Sequence, residues 1–217
     1  MKPGLSPLLS LNAGYVDTVG FLALNGLFTA HVTGNFVTFG AAAAQGAPGA
    51  LAKLLVLPVF CTVIIVTRLS ARPMEARGWP VMRIMLTLKF LLLSAAAGVA
   101  ITSAPLGDSD NWPGLTTGLT LAAAMAIQNA VHRIHMTREP PTTLMTGTTT
   151  QIMIDIADLI AGVAATARPA LLARLRRMSA NVGSFAAGCG LAALAWHSVA
   201  SWSFAIPPLL AQGEEHP

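Results

Sequence analysis

The chain has 217 residues, of which 54% are hydrophobic and only 10% charged, with a formal net charge of +4. A water-exposed surface takes about a quarter charged residues, so an ordinary soluble domain is excluded, and a mean hydropathy of +0.64 points to the bilayer. The positive balance does not indicate nucleic acid, because the basic residues gather in short segments between apolar runs, as membrane-orientation signals do.

A spanning helix takes roughly 20 mostly apolar residues, and the first candidate, residues 6–28, follows Lys2. It starts as a signal peptide would, yet Asn12 and Asp17 interrupt it and no convincing cleavage site follows, so it is expected to be a span of the mature protein. Asp17 falls about 16 Å along this run by helix rise. A charge at such depth is expensive and is a functional candidate by default. The stretch "FTAHVTGNFVTFG", residues 28–40, then crowds Thr29, His31, Thr33 and Asn35 into the start of an apolar segment, about 33–46, that is short for a crossing.

Spans at 50–70 and 80–103 follow, separated by a connection bordered by Arg68, Arg72, Arg77 and Arg83 and therefore assigned to the cytoplasm. Lys89, roughly two turns beyond Arg83, can pair with Asp17 or snorkel to the inner surface. The next connection, "PLGDSDNWPG", has two aspartates and no Lys or Arg, which suits the outside. On the span at 114–135, Gln128, His132 and His135 share one helical face.

The segment "TTLMTGTTTQIMID", residues 142–155, opens a second short apolar stretch, about 146–164, carrying Asp155 and Asp158. Asp155, the deeper of the two, is the better candidate for ion coupling. Basic residues flank this stretch on both sides, with His132, Arg133, His135 and Arg138 before it and "ARPALLARLRRMS" after it. A crossing would put those flanks on opposite faces, so the segment is expected to enter from the cytoplasm and return. By the same logic the 29–46 segment dips in from outside and the N-terminus is cytoplasmic. A span at 179–198 and a short, proline-broken run at 200–211 complete the chain. Trp79, Trp112, Trp196 and Trp202 fall near span ends, where indoles favour the interface. Cys61 and Cys189 read as buried small hydrophobes.

Sliding the sequence by about 113 positions lays Thr33-Gly34-Asn35 on Thr146-Gly147-Thr148 and Thr29 on Thr142. With one residue of slack, Asp17 falls on Asn129. The first unit begins inside and the second outside, which is the plan of inverted-repeat transporters with a site near midplane. The expected fold is an all-α polytopic membrane protein of about six spans. A single membrane domain covers residues 1–217, with repeats at about 6–103 and 114–211, each holding a re-entrant or discontinuous short helix. Thr33 and Thr146 suit the N-cap position. Behind them, the amides of Gly34, Asn35 and Phe36, and of Gly147, Thr148 and Thr149, would be free donors for an anion or polar group.

"AGYVDTVGFLALNGLFTAHVTGNFVTFGAA", with the later "IQNA" and "MTGTTTQ", resembles the YoaK family of bacterial inner-membrane proteins. The resemblance covers nearly the whole chain and implies about six helices and no particular reaction, the family being one of uncharacterised function. Its motifs fall on Asp17, Thr29, His31, Thr33, Gly34 and Asn35, then Gln128 and Asn129, then Thr146, Gly147 and Thr148.

The expected function is secondary transport of a small polar or anionic solute. Thr29, His31, Thr33, Gly34, Asn35, Gln128, Asn129, Thr146, Gly147 and Thr148 would bind it, with Asp17, Asp155 and Lys89 handling a proton or sodium ion. A passive channel on the same scaffold and a non-transporting membrane adaptor are the alternatives. No nucleotide loop, G-x-S-x-G elbow or H-E-x-x-H is present, so no enzyme is expected. No metal site or other cofactor is expected either. Lipid and solute are the partners, and a homodimer is expected because a small bundle has few helices with which to shield re-entrant segments from lipid.

Overall fold

The computed structural model describes residues 4–214, so Lys2 lies outside the described residues. Where water is absent the backbone must satisfy itself, and every regular element described is helical. In chain order these are α1 (Leu5–Ala23), α2 (Asn35–Gln45), α3 (Ala50–Ala76), α4 (Val81–Thr102), α5 (Trp112–His135), α6 (Met145–Ala161), α7 (Arg168–Val199) and α8 (Ile206–Gln212). A 3-10 turn at Val32–Gly34 leads into α2, and 3-10 turns at Ala200–Ala205 join α7 to α8.

Among the described residues, three stretches are long and apolar enough to cross a membrane: Ala50–Ala76, Val81–Thr102 and Arg168–Gln212. Their outer faces expose Leu54, Ile65, Val66 and Leu69, Leu88 and Leu91, and Leu191 and Leu194. An apolar belt of this extent belongs in lipid, and the chain is a membrane protein. α1 and α5 are of spanning length but carry more polar residues, for a structural reason. α1 packs along α7, and α5 lies against α3 and α4. Their Ser10, Asn12, Asp17, Thr117 and Gln128 are buried against protein, where partners other than lipid are available.

Small residues bring α1 and α7 together. A Cβ on Gly14 would collide with the Phe185 carbonyl, and one on Gly188 with that of Leu11, so only glycine allows these backbones to approach so closely.

The two ends of the bundle differ in charge. Glu75, Trp79, Arg83 and His135 share one depression, and Leu5, Met136, Arg176 and Asn181 share another. The starts of α1 and α4, the ends of α3 and α5 and the basic turns of α7 therefore lie at one end. At the other, the Ser109 amide donates to Asn25 Oδ1 at 2.8 Å, and Asp110 accepts the amides of Leu51 and Ala52 at 3.2 and 2.8 Å. Asp110 thus caps α3 from a remote loop.

Two segments differ from expectation. The basic run 168–178 is the opening of α7, not a loop, because its Leu, Ala and Arg favour helix and its one proline sits in the first turn. At 32 residues, α7 rises about 48 Å and overshoots the hydrocarbon layer. Residues 200–212 fold back along α1: Tyr15 donates to the Ser203 carbonyl at 3.0 Å and Asn12 Nδ2 to that of Pro207 at 3.3 Å. Of the cysteines, Cys61 is exposed and Cys189 half-buried, correcting their expected burial; apolar surroundings for Cys61 would come from lipid.

Candidate functional site

Beyond α1 the chain turns back on itself. Asp17 Oδ1 accepts the amides of Thr29, Ala30 and His31 at 2.8, 2.7 and 3.3 Å, and Oδ2 lies 2.9 Å from His31 Nδ1. Asp17 is six residues before the end of α1, so the loop has returned by about 9 Å, nearly two helical turns. Asn35 completes the fold. Its Oδ1 accepts the Phe28 amide at 2.9 Å, while Nδ2 donates to the carbonyls of Phe28 and Val32 at 2.7 and 3.1 Å. Thr29 is fully buried, its hydroxyl 3.4 Å from the Val16 carbonyl. Asp17, Thr29 and Asn35 thus supply the partners that a non-helical loop needs away from water.

The Asp17 Oδ2–His31 Nδ1 contact suits the tautomer that carries its proton on Nδ1 and donates to the carboxylate. The ring lies edge-on to Phe185, with centroids 5.3 Å apart. It borders a cavity of about 550 Å³ lined by Asp17, Thr18, Phe21, Phe28, Thr33, Gly34 and Cys189, among others. The walls are mainly apolar; Thr18, His31 and Thr33 supply the polar groups beside the shielded Asp17.

The expected caps are not formed. The 3-10 turn satisfies Gly34 and Asn35, whose amides reach the carbonyls of His31 and Val32, and Thr33 makes no capping bond to α2. α6 starts at Met145 with Leu144 at its N-cap. That places the amides of Thr148 and Thr149 inside the helical ladder and leaves only those up to Gly147 in the first turn. Thr146 and Gly147 are exposed, while Thr148 donates back to the Leu144 carbonyl at 3.0 Å.

The second motif repeats the fold-back. Asn129 is six residues before the end of α5; its Oδ1 accepts the Thr143 hydroxyl at 2.8 Å. Gln128 Nε2 donates to Thr142 Oγ1 at 3.1 Å and the Leu9 carbonyl at 3.0 Å. None of these residues lines the 550 Å³ cavity, and α2 and α6 are not packed on each other. The structure therefore brings together Asp17, Thr29, His31, Thr33, Gly34 and Asn35, and separately Gln128, Asn129 and the loop before α6.

Lys89 does not meet Asp17 and does not snorkel. It is fully buried, donating to Gln128 Oε1 at 2.6 Å and to Glu214 Oε1 and Oε2 at 2.9 and 2.6 Å. Asp155 is also fully buried, held by Arg174 Nη2 and Nε at 2.6 and 2.9 Å and by Gln151 at 2.8 Å. Sequence reading missed Glu214, Asn12 and Arg174 as partners. Glu214 follows a segment too broken to place, and Arg174 was absorbed into an orientation signal.

A helical bundle with an apolar outer belt, ionisable groups inside and a cavity bordered by a folded-back loop defines a polytopic membrane protein. The family profile described as "Protein of unknown function (DUF1275)" matches residues 5–212, and the chain belongs to that family. It is similar to the UPF0700 transmembrane protein YoaK of Bacillus subtilis (strain 168), with 37% identity over 78 residues. That match covers 35% of this chain and 34% of the relative, so it spans about a third of the curated protein. No solved structure matches.

Proposed function

We propose that the chain is a secondary transporter of a small polar or anionic solute, and that its solute seat is the cavity at the first Thr-Gly element. The observation that carries this reading is a 550 Å³ space bordered by a loop folded back into the bundle, with an oriented imidazole at its wall. Intramembrane ionisable groups facing a cavity are the usual marks of a translocation path. His31, steadied by Asp17, is the group placed to meet both solute and proton.

The twofold plan has support in the geometry. Asp17 and Asn129 occupy equivalent places on α1 and α5, and each ties down the loop before a short helix. The α1–α7 packing has its counterpart in α5–α3, and α2–α3 in α6–α7. Inverted halves with re-entrant α2 and α6 account for all three correspondences. On this reading the basic end faces the cytoplasm and the start of α1 lies inside, and a bacterial inner membrane is the proposed location.

A thermal-shift screen of purified protein against small anions, nucleobases and carboxylates identifies a solute, since bound ligand raises apparent stability. In proteoliposomes its uptake should saturate, collapse with the proton or sodium gradient, and lose gradient dependence in Asp17→Asn. Flux that does not saturate and survives the substitution would establish a channel. No flux under any gradient would leave an adaptor.

A further inference from the structure

We propose that Lys89, Asn12 and Gln128 form a binding site for a small carboxylate, occupied in this conformation by the chain's own Glu214. The site is separate from the Asp17–His31 cavity, and its argument does not depend on transport.

The cationic half is built into the core. Lys89 stands on α4 and Gln128 on α5, two helices packed along each other. Gln128 Oε1 accepts from the ammonium at 2.6 Å, while its amide is pinned by the Leu9 carbonyl and the Thr142 hydroxyl. Asn12 on α1 adds Nδ2, 3.0 Å from Glu214 Oε1. The oxygen of that amide, Asn12 Oδ1, is buried and has no partner among the described residues. It offers an acceptor that Glu214 cannot use and that a ligand carrying a hydrogen-bond donor beside its carboxylate could.

The anionic half is attached quite differently. Glu214 lies in the turn after α8, a helix of seven residues, reached through the 3-10 turns at Ala200–Ala205. Both charged side chains have no exposure. A fully buried ion pair of this kind adds little net stability, yet stripping one partner is costly. The ammonium therefore needs a carboxylate, and the short α8 with the turn after it provides one that solution can replace. Beyond Cβ, the Glu214 side chain is chemically acetate.

The test is chemical complementation. Glu214→Ala in detergent should melt well below the parent protein, and acetate or propionate should restore at least half of that loss in a saturating manner. Acetamide and chloride at matched ionic strength should not, and Glu214→Ala with Lys89→Met should show no recovery. If Glu214→Ala does not fold, the parent protein decides. Propionate should speed amide exchange across residues 206–212 by roughly threefold or more as the native carboxylate is displaced. A folded Glu214→Ala without carboxylate-specific recovery overturns the proposal, and so does a parent protein whose α8 exchange ignores propionate.

Discussion

Replacing Asp17 by alanine and by asparagine separates two jobs that the carboxylate performs. Its Oδ1 holds three amides, two of them at 2.8 and 2.7 Å and the third at a weaker 3.3 Å. Hydrogen bonds to charged groups contribute about 1.5–3 kcal/mol each. Counting the two short ones gives roughly 3–6 kcal/mol. Water entering the adjoining cavity can recover part of this, so Asp17→Ala should cost about 3 kcal/mol. Against a total stability of about 5–15 kcal/mol, that is a large loss. Asparagine keeps one carbonyl oxygen for the amides but turns a donor toward His31 Nδ1, so Asp17→Asn should cost only about 1 kcal/mol.

Thermal or denaturant unfolding in detergent gives the stability order. Thiol labelling of Cys189, which lines the cavity, reports on the loop in a Cys61→Ser background. Labelling should be fastest in Asp17→Ala, where the loop has lost its anchor. If Asp17→Ala and Asp17→Asn are equally stable, or if Asp17→Ala lies within about 0.5 kcal/mol of the parent, the carboxylate does not hold the loop and this reasoning fails.

Other substitutions probe other parts of the bundle. Arg174→Ala strands the buried Asp155 carboxylate; with Arg174 half-exposed and screened, the loss should be about 1–3 kcal/mol, and adding Asp155→Asn should recover much of it in denaturant melts. Gly188→Ala drives a methyl into the Leu11 carbonyl and should cost about 2 kcal/mol or more by thermal unfolding, whereas Gly190→Ala, with nothing within 4 Å, should stay within about 0.5 kcal/mol. Thr33→Ala and Thr146→Ala should be stability-neutral within about 0.5 kcal/mol, because neither residue caps its helix. Asn35→Ala, which leaves the Phe28 amide and carbonyl unpaired, should cost about 2 kcal/mol in the same assay.

Helix positions were legible because lipid imposes a length and a composition on any segment that crosses it. The polar clusters at Thr29–Asn35 and Thr142–Thr148 were legible for the same reason: hydroxyls and amides there need an explanation in so apolar a chain. Their partners were not. From the residues alone Lys89 was the candidate companion of Asp17, and the structure chose neighbours 12 to 14 positions away in sequence instead. Lys89 found Glu214, 125 positions on. Composition reports that a charge must be satisfied, and only the path of the loops says by whom. The capping argument failed for a related reason. Thr-Gly is a sound signal for a helix start, but in the first motif the 3-10 turn supplies the carbonyls, and in the second the helix starts two residues early.

The fate of the polar residues also sharpens the functional reading. Most of the hydroxyls and amides that looked available for a solute are spent on holding loops inside the bundle, where unsatisfied backbone costs several kcal/mol per group. Asp17, Thr29 and Asn35 are occupied in this way, as are Gln128, Asn129 and Thr143. A solute needs groups that the fold does not consume. At the first element these are the far side of the His31 ring, one-third exposed, and the Thr18 and Thr33 hydroxyls at the cavity wall. A seat with so few open polar groups and three phenylalanines, Phe21, Phe28 and Phe185, favours a solute with an apolar flank and a single polar handle over a highly charged anion. The thermal-shift screen should therefore rank small weak acids and heterocycles above phosphate or sulfate, and the opposite ranking would move the seat away from this cavity.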